Sequence, residues 1–185
     1  MSRAPGQVRI IGGRWRGTRL PVADAPGLRP TPDRTRETLF NWLAPALPGA
    51  RALDLFAGSG ALGFEALSRG AGEALLVERD PRLCEALRGV ARRLPGGEAA
   101  AVVQADAVAF LDAPVHGRYD VVFLDPPFAD DLWGRVLARL DAWTADRAWL
   151  YLESPLQRSI DAPGWSPHRE GRSRETRHAL YRRGG

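Results

Sequence analysis

At 185 residues the chain can bury one sizeable core with a few tens of residues left over, and its 44% hydrophobic and 26% charged content is that of a soluble globular protein. No apolar run approaches the roughly 18 residues of a membrane span, residues 1–6 lead into no signal-peptide core, and the lone Cys84 excludes an internal disulfide or a cysteine-based metal cluster, so a cytoplasmic protein is expected. All 26 basic residues are arginine, and the net charge of +4 with guanidinium groups gathered at both chain ends points to an anionic partner.

The first arginine cluster comprises Arg3, Arg9, Arg14, Arg16, Arg19, Arg29, Arg34 and Arg36, opposed locally only by Asp24 and Asp33. Within it Val8-Arg9-Ile10-Ile11 alternates at strand period, Gly12-Gly13 marks a turn, and residues 15–20 are predicted to pair back as a hairpin. Residues 21–30 read as irregular. Thr31 is expected to cap a helix with Pro32 at its first position and Asp33 near the positive end of the dipole. Leu39, Phe40, Leu43 and Leu47 line one face of that helix, and Pro48-Gly49 stops it.

From Arg51 the pattern alternates strand and helix: strands at 52–56, 74–78, 101–103, 119–124 and 149–153, and helices at 61–69, after Asp80-Pro81, around 108–111 and from 132 to 143. That alternation implies right-handed crossovers and a mostly parallel sheet covered on both faces. The tail, with Arg169, Arg172, Arg174, Arg177, Arg182 and Arg183, is predicted to close as an antiparallel hairpin. Trp15 and Trp42 read as core residues rather than base-stacking ones. His116, His168 and His178 lack metal-ligand spacing and read as surface or loop residues. Ser154 is either a pocket residue or a strand terminator.

After the first strand of the sheet, Gly58, Gly60 and Gly63 satisfy the G-x-G-x-x-G pattern, and Glu78 ends the next strand 20 residues after Gly58. Asp54 at the strand tip discriminates between ligands. A carboxylate there would repel a pyrophosphate on the helix N-terminus, which argues against a nicotinamide dinucleotide. It suits a ligand with an ammonium end and no phosphate, such as S-adenosylmethionine. Asp54 then faces the methionine end, Gly58 and Gly60 allow close backbone approach, Glu78 takes the ribose diol, and Phe56 is a further expected cofactor contact. Asp106 and Ala107 border the adenine, with a helix cap as the equal alternative for Asp106. No metal is called for.

Asp125-Pro126-Pro127-Phe128 follows the fourth strand of the sheet at its carboxyl end, where open α/β sheets place ligands. The lone pair of a nucleobase exocyclic amine is delocalised into the ring. The Asp125 carboxylate and the Pro126 carbonyl can accept its two N–H bonds and aim the nitrogen at a transferable methyl. Two prolines remove donors and stiffen the turn, and Phe128 offers a stacking face. Whether Asp125 acts as a base or only as an acceptor is left open by the sequence.

These two loops resemble those of the class I amino-methyltransferases. More narrowly, residues 9–17 (RIIGGRWRG) and 28–43 (LRPTPDRTRETLFNWL) resemble the RsmD family of bacterial 16S ribosomal RNA guanine-N2 methyltransferases. The resemblance runs from about residue 8 to 155 and is looser in the tail. It implies a Rossmann-like fold with a seven-stranded, mostly parallel sheet, a basic arm or hairpin over residues 1–30 and a catalytic domain over 31–185. It further implies methyl transfer from S-adenosylmethionine, leaving S-adenosylhomocysteine, to one guanine of 16S RNA in the small ribosomal subunit or an assembly intermediate. A monomer is expected, and Arg9, Arg14, Arg16, Arg34 and Arg36 are the expected phosphate contacts.

Overall fold

The computed structural model describes residues 7–22 and 31–184. The expected irregular segment over 23–30 and the arginines Arg3 and Arg29 therefore lie outside the described residues, as does the expected boundary at residue 30. A seven-stranded sheet forms the body. In chain order its parallel strands are β3 (Arg51–Asp54), β4 (Glu73–Glu78), β5 (Ala100–Gln104), β6 (Tyr119–Leu124) and β7 (Thr144–Pro155), and β8 (Ser166–Arg172) and β9 (Thr176–Arg183) form the expected closing hairpin. The spatial order is β5-β4-β3-β6-β7-β9-β8, with β9 antiparallel to both of its neighbours.

Strand alternation assigns the two faces. On β6, Val121 and Phe123 enter one hydrophobic cluster and Val122 and Leu124 the other. The first cluster is closed by helices α1 (Asp33–Leu43), α2 (Ala61–Ser68) and α3 (Pro81–Arg93). The second is closed by α4 (Ala107–Asp112) and α5 (Trp133–Leu137). Each fully buried Leu or Phe in these layers contributes on the order of 1.5–3 kcal/mol through removal of apolar area from water.

Two local expectations are corrected. Thr31 does not cap α1: the cap position is Pro32, no side chain closes it, and the Thr31 hydroxyl points instead toward carboxylates far away in sequence. The helix expected over 132–143 ends at Leu137, and a short 3-10 turn follows over Asp141–Trp143. Leu132, Val136, Leu140 and Trp143 do keep helical spacing and are all buried. The chain nevertheless departs from the helix, and the Trp143 indole N–H reaches the Leu111 carbonyl at 3.0 Å.

The amino-terminal hairpin, β1 (Val8–Arg9) paired antiparallel with β2 (Arg19–Leu20), is built into the same core as α1 and α2. Val8, Ile10, Trp15 and Leu20 are buried there. Its polar anchor is Glu65 on α2, a fully buried carboxylate. One oxygen accepts the Ile11 N–H and the other the Gly12 N–H, each at 2.8 Å. Arg69 donates to it at 2.7 Å and Arg36 approaches at 3.5 Å. Ser68 completes the seat, donating to the Gly12 carbonyl and accepting from the Trp15 N–H. Gly13 follows from this contact: its φ is +77°, and a Cβ would lie 1.9 Å from the Ser68 carbonyl oxygen.

Removing Glu65 takes from the buried Arg36 one of its two carboxylate partners, leaving Asp33 alone, and leaves two backbone donors unsatisfied. Glu65→Ala should therefore cost about 3–5 kcal/mol, lowering Tm by roughly 10 °C for a domain of this size. Urea unfolding of the two proteins checks it, and a loss below about 1 kcal/mol would mean that the anchor is not a stabilising element.

Candidate active site

The sheet reverses its winding between β3 and β6. The chain builds outward from β3 to β4 and β5, then returns to place β6 on the other side of β3. At such a switch point the loops leaving adjacent strands diverge and leave a crevice at their carboxyl ends. Asp54 closes β3 in register with Phe123 of β6, and Asp125 follows β6, so the topology alone brings both carboxyl groups to one crevice. Glu153, near the end of β7, joins them from the next strand.

The crevice is a cleft of about 1040 Å³. That is at the upper limit of the ~300–1000 Å³ of small-molecule pockets, enough for a nucleoside-sized ligand and a second planar group. Asp54, Phe56, Gly58, Glu78, Asp106, Ala107 and the whole of Asp125-Pro126-Pro127-Phe128 line it, so ten of the expected cofactor and catalytic residues converge. Gly60 does not. It takes φ +80° at the start of α2, where a Cβ would lie 2.5 Å from the Phe64 ring, so its role is the turn and its packing.

Glu78 is aimed by two backbone donors, Gly58 N–H and Asp80 N–H, each at 2.9 Å. Its remaining lone pairs suit a vicinal diol. Asp54 is 2% exposed and accepts the Gly63 N–H at 3.1 Å, and among the described residues no cation pairs with it. Burial pushes its pKa up to about 7, against smaller opposing effects of the Gly63 and Phe56 backbone N–H groups. A carboxyl group of this kind is completed by a ligand cation. Asp106 caps α4, its Oδ1 accepting from Val108 and Ala109 N–H, and it also lines the cleft. With the apolar walls of Phe56, Leu83 and Ala107, this donor and acceptor set fits S-adenosylmethionine.

At the other end of the cleft the Asp125 carboxylate meets a network that sequence reasoning missed. The Thr31 hydroxyl lies 3.3 Å from Asp125 Oδ2 and 3.2 Å from Glu153 Oε2, and the Tyr151 hydroxyl donates to the same Glu153 oxygen at 2.9 Å. Burial first, then the neighbouring Glu153 and Asp54, hold the Asp125 carboxyl well above the usual carboxylate range. Burial raises Glu153 too, opposed by the hydroxyls of Tyr151, Thr31 and Thr176. Phe128 leans on Trp133 with ring centroids 5.8 Å apart, and the Trp133 indole N–H holds the Glu153 carbonyl at 2.8 Å. Residues 173–176, the turn joining β8 to β9, form part of the rim. Ser154 is turned away, its hydroxyl bonded to the Arg158 carbonyl.

Of the expected phosphate contacts, Arg36 is corrected: it is 0% exposed, paired with Asp33 and Glu65, and its Nε holds the Thr31 carbonyl at 3.4 Å. A side chain committed to internal partners cannot reach a phosphate. Arg9, Arg14, Arg16 and Arg34 are exposed, Arg9 beside Asp33 and Arg14 stacked on Trp15 at 4.3 Å. Arg174, from the tail cluster, lies on the rim of the cleft itself. His178 is also corrected: it is a buried residue stacked on the half-buried Trp42, not a surface one.

Strand order and switch-point cleft define a class I methyltransferase fold. The solved structure of an RNA methyltransferase from Salinibacter ruber in complex with S-adenosyl-L-homocysteine shares it at TM-score 0.61. At 16% identity over 84% of this chain and 94% of that one, the likeness is one of fold alone. The solved structure of yhhF from Escherichia coli is much nearer, at TM-score 0.86 and 47% identity over 97% of this chain and 99% of that one. The family model described as conserved hypothetical protein 95 matches residues 8–182. Ribosomal RNA small subunit methyltransferase D of Escherichia coli (strain K12) is 47% identical over 182 residues, 96% of this chain and 91% of that protein. The chain belongs to this family, the RsmD methyltransferases.

Asp54 generates a stability prediction. Folding raises its pKa from 3.8 to about 7, so the folded state binds the extra proton between those values and stability falls as pH rises through that window, levelling above it. Asp125 and Glu153 contribute with the same sign. Urea unfolding from pH 4 to 8 should show this decline, and Asp54→Asn should reduce its slope; an unchanged slope would contradict burial of an unpaired Asp54.

Proposed function

We propose that this protein transfers a methyl group from S-adenosylmethionine to the exocyclic N2 amine of one guanine in 16S ribosomal RNA, acting as a monomer in the cytoplasm on the small subunit or an assembly intermediate. The observation that carries amine methylation is the acceptor-only loop Asp125-Pro126-Pro127-Phe128, opening into the cleft that also holds Asp54 and Glu78. Ribosomal RNA as the target is supported by the 47% identity to ribosomal RNA small subunit methyltransferase D of Escherichia coli, and guanine by the family resemblance of residues 9–17 and 28–43.

When bound, S-adenosylmethionine supplies an electrophilic methyl carried on sulfur. Glu78 holds the ribose hydroxyls, Asp54 the ammonium end, and Phe56 and Ala107 wall the base. Asp125 and the Pro126 carbonyl accept the target N–H bonds, so the amine is oriented rather than chemically activated. Phe128 stacks on the target base, which must leave any helical stack at a cost of a few kcal/mol. The basic hairpin, with Arg9, Arg14 and Arg16, and Arg34 on the exposed side of α1 hold the RNA backbone.

Labelled S-adenosylmethionine offered to small-subunit RNA and particles lacking the modification should place label on guanine, identified by mass of the product base. Label on adenine, or on no ribosomal RNA, would contradict the proposal. Asp125→Ala should lower transfer by at least ~10²-fold with cofactor affinity nearly unchanged, and a large loss of cofactor binding would remove Asp125 from the target end. Replacing Arg14 and Arg16 by Gln should weaken RNA binding and flatten its salt dependence by close to two phosphate contacts; an unchanged salt slope would return both to the solvated surface.

A further inference from the structure

Thr31 Oγ1 lies within hydrogen-bond distance of two carboxyl groups but owns a single proton. It can donate to one of them only. The other must turn a proton toward it, or two oxygen lone pairs face each other at about 3.3 Å inside the protein. The pair therefore holds one proton, and the neighbouring donors decide which member carries it. Glu153 receives the Tyr151 hydroxyl at 2.9 Å and the Thr176 hydroxyl as well, while Asp125 has Thr31 alone among the described side chains. More donors favour the ionised form. The chain of bonds then runs in one direction, from the Asp125 carboxyl to Thr31 and from Thr31 to an ionised Glu153.

We infer that Glu153, acting through Thr31 and Asp125, is the final acceptor of the proton that the target amine loses, and that Thr31 is the positioning residue that bridges the two carboxyl groups. The inference rests on the amine-methylation reading above. Transfer forms an N–C bond from the amine lone pair, the pair of the broken S–C bond stays on the departing sulfur, and the nitrogen is left cationic with a surplus proton. Asp125 accepts that proton on the oxygen facing the amine as its Oδ2 proton passes to Thr31, whose own proton passes to Glu153. The pair goes from one negative charge to none, the nitrogen from cation to neutral amine, and Asp125 is a neutral carboxyl before and after.

The side chains framing this relay fit that assignment. Asp54 on β3 adds negative charge from the cofactor side, disfavouring an ionised Asp125. Glu78 and Arg79 lie farther along the cleft, and Arg174 and Glu175 lie on its rim at the β8–β9 turn. His178 is the register partner of Glu153 on β9, with its ring stacked on Trp42. Arg36 holds the Thr31 carbonyl, and Trp133 the Glu153 carbonyl, so both ends of the bridge are anchored through the backbone.

Two measurements test it. Carbon-13 NMR titration of the side-chain carboxyls in the free protein should find Glu153 ionised at a pH where Asp125 is still protonated; the reverse order overturns the inference whatever the activity. In single-turnover transfer to small-subunit RNA, Glu153→Gln should slow the chemical step by roughly 10²-fold or more and abolish the rise of rate with pH that ionisation of Glu153 produces. Thr31→Val should do the same, Thr31→Ser should recover to within a few-fold of the unsubstituted protein, and S-adenosylhomocysteine affinity should hold in all three. An unsubstituted protein that methylates no RNA amine contradicts the reading beneath the relay. An active one whose rate and pH profile survive Glu153→Gln, or whose Thr31→Ser variant is as slow as Thr31→Val, contradicts the relay alone.

Discussion

Three carboxyl groups meet at the carboxyl ends of three neighbouring strands, Asp54 on β3, Asp125 after β6 and Glu153 on β7, and among the described residues none of them forms an ion pair. In a half-buried crevice they cannot all be charged at neutral pH. Much of the site follows from that constraint. Asp54 has no cation of the protein's own among the described residues, Thr31 bridges Asp125 and Glu153, and the Tyr151 hydroxyl donates to Glu153. The free protein holds its site at a cost in stability that a cationic ligand relieves. A site so arranged rejects phosphates at its base while the surrounding arginine surface attracts them.

The parts of this arrangement legible in the sequence are the local ones. The glycine turn, the acid before it, Glu78 and the proline loop each announce themselves within a few residues, and the alternation of strands and helices sets their place on the sheet. What escaped was carried by contacts between distant segments. Thr31 precedes Pro32 and Asp33 in what reads as a helix start, yet its hydroxyl serves carboxylates 94 and 122 residues away. Arg36 shares the charge pattern of its exposed neighbours Arg34 and Glu37, and only Glu65 and Asp33 tell it apart. The full length of β7 was hidden because exposed Asp146 and Arg147 interrupt its apolar run.

The basic hairpin shows how one segment can be built into the core while it presents charge to solvent. Its inward side chains, Val8, Ile10, Trp15 and Leu20, belong to the core, and its backbone is tied to Glu65 and Ser68 on α2. The helix that holds the hairpin is the one that begins at the glycine loop and supplies Gly63 N–H to Asp54. The exposed arginines are thus presented from a rigid base rather than from a loose tail. Arg36, at the junction, is anchored to Glu65 on one side and to Thr31 on the other, linking the hairpin seat to the proton-sharing pair.

The central claim is that the cleft is an anionic receptor for a cationic, phosphate-free ligand, and proton release on binding tests it most directly. S-adenosylhomocysteine can be titrated calorimetrically at pH 6 in two buffers of different ionisation enthalpy, where its ammonium group is charged and Asp54, with a pKa of about 7, is largely protonated. The account predicts release of close to one proton per site, and its loss in Asp54→Asn. Binding without proton release, or with proton uptake, would contradict it.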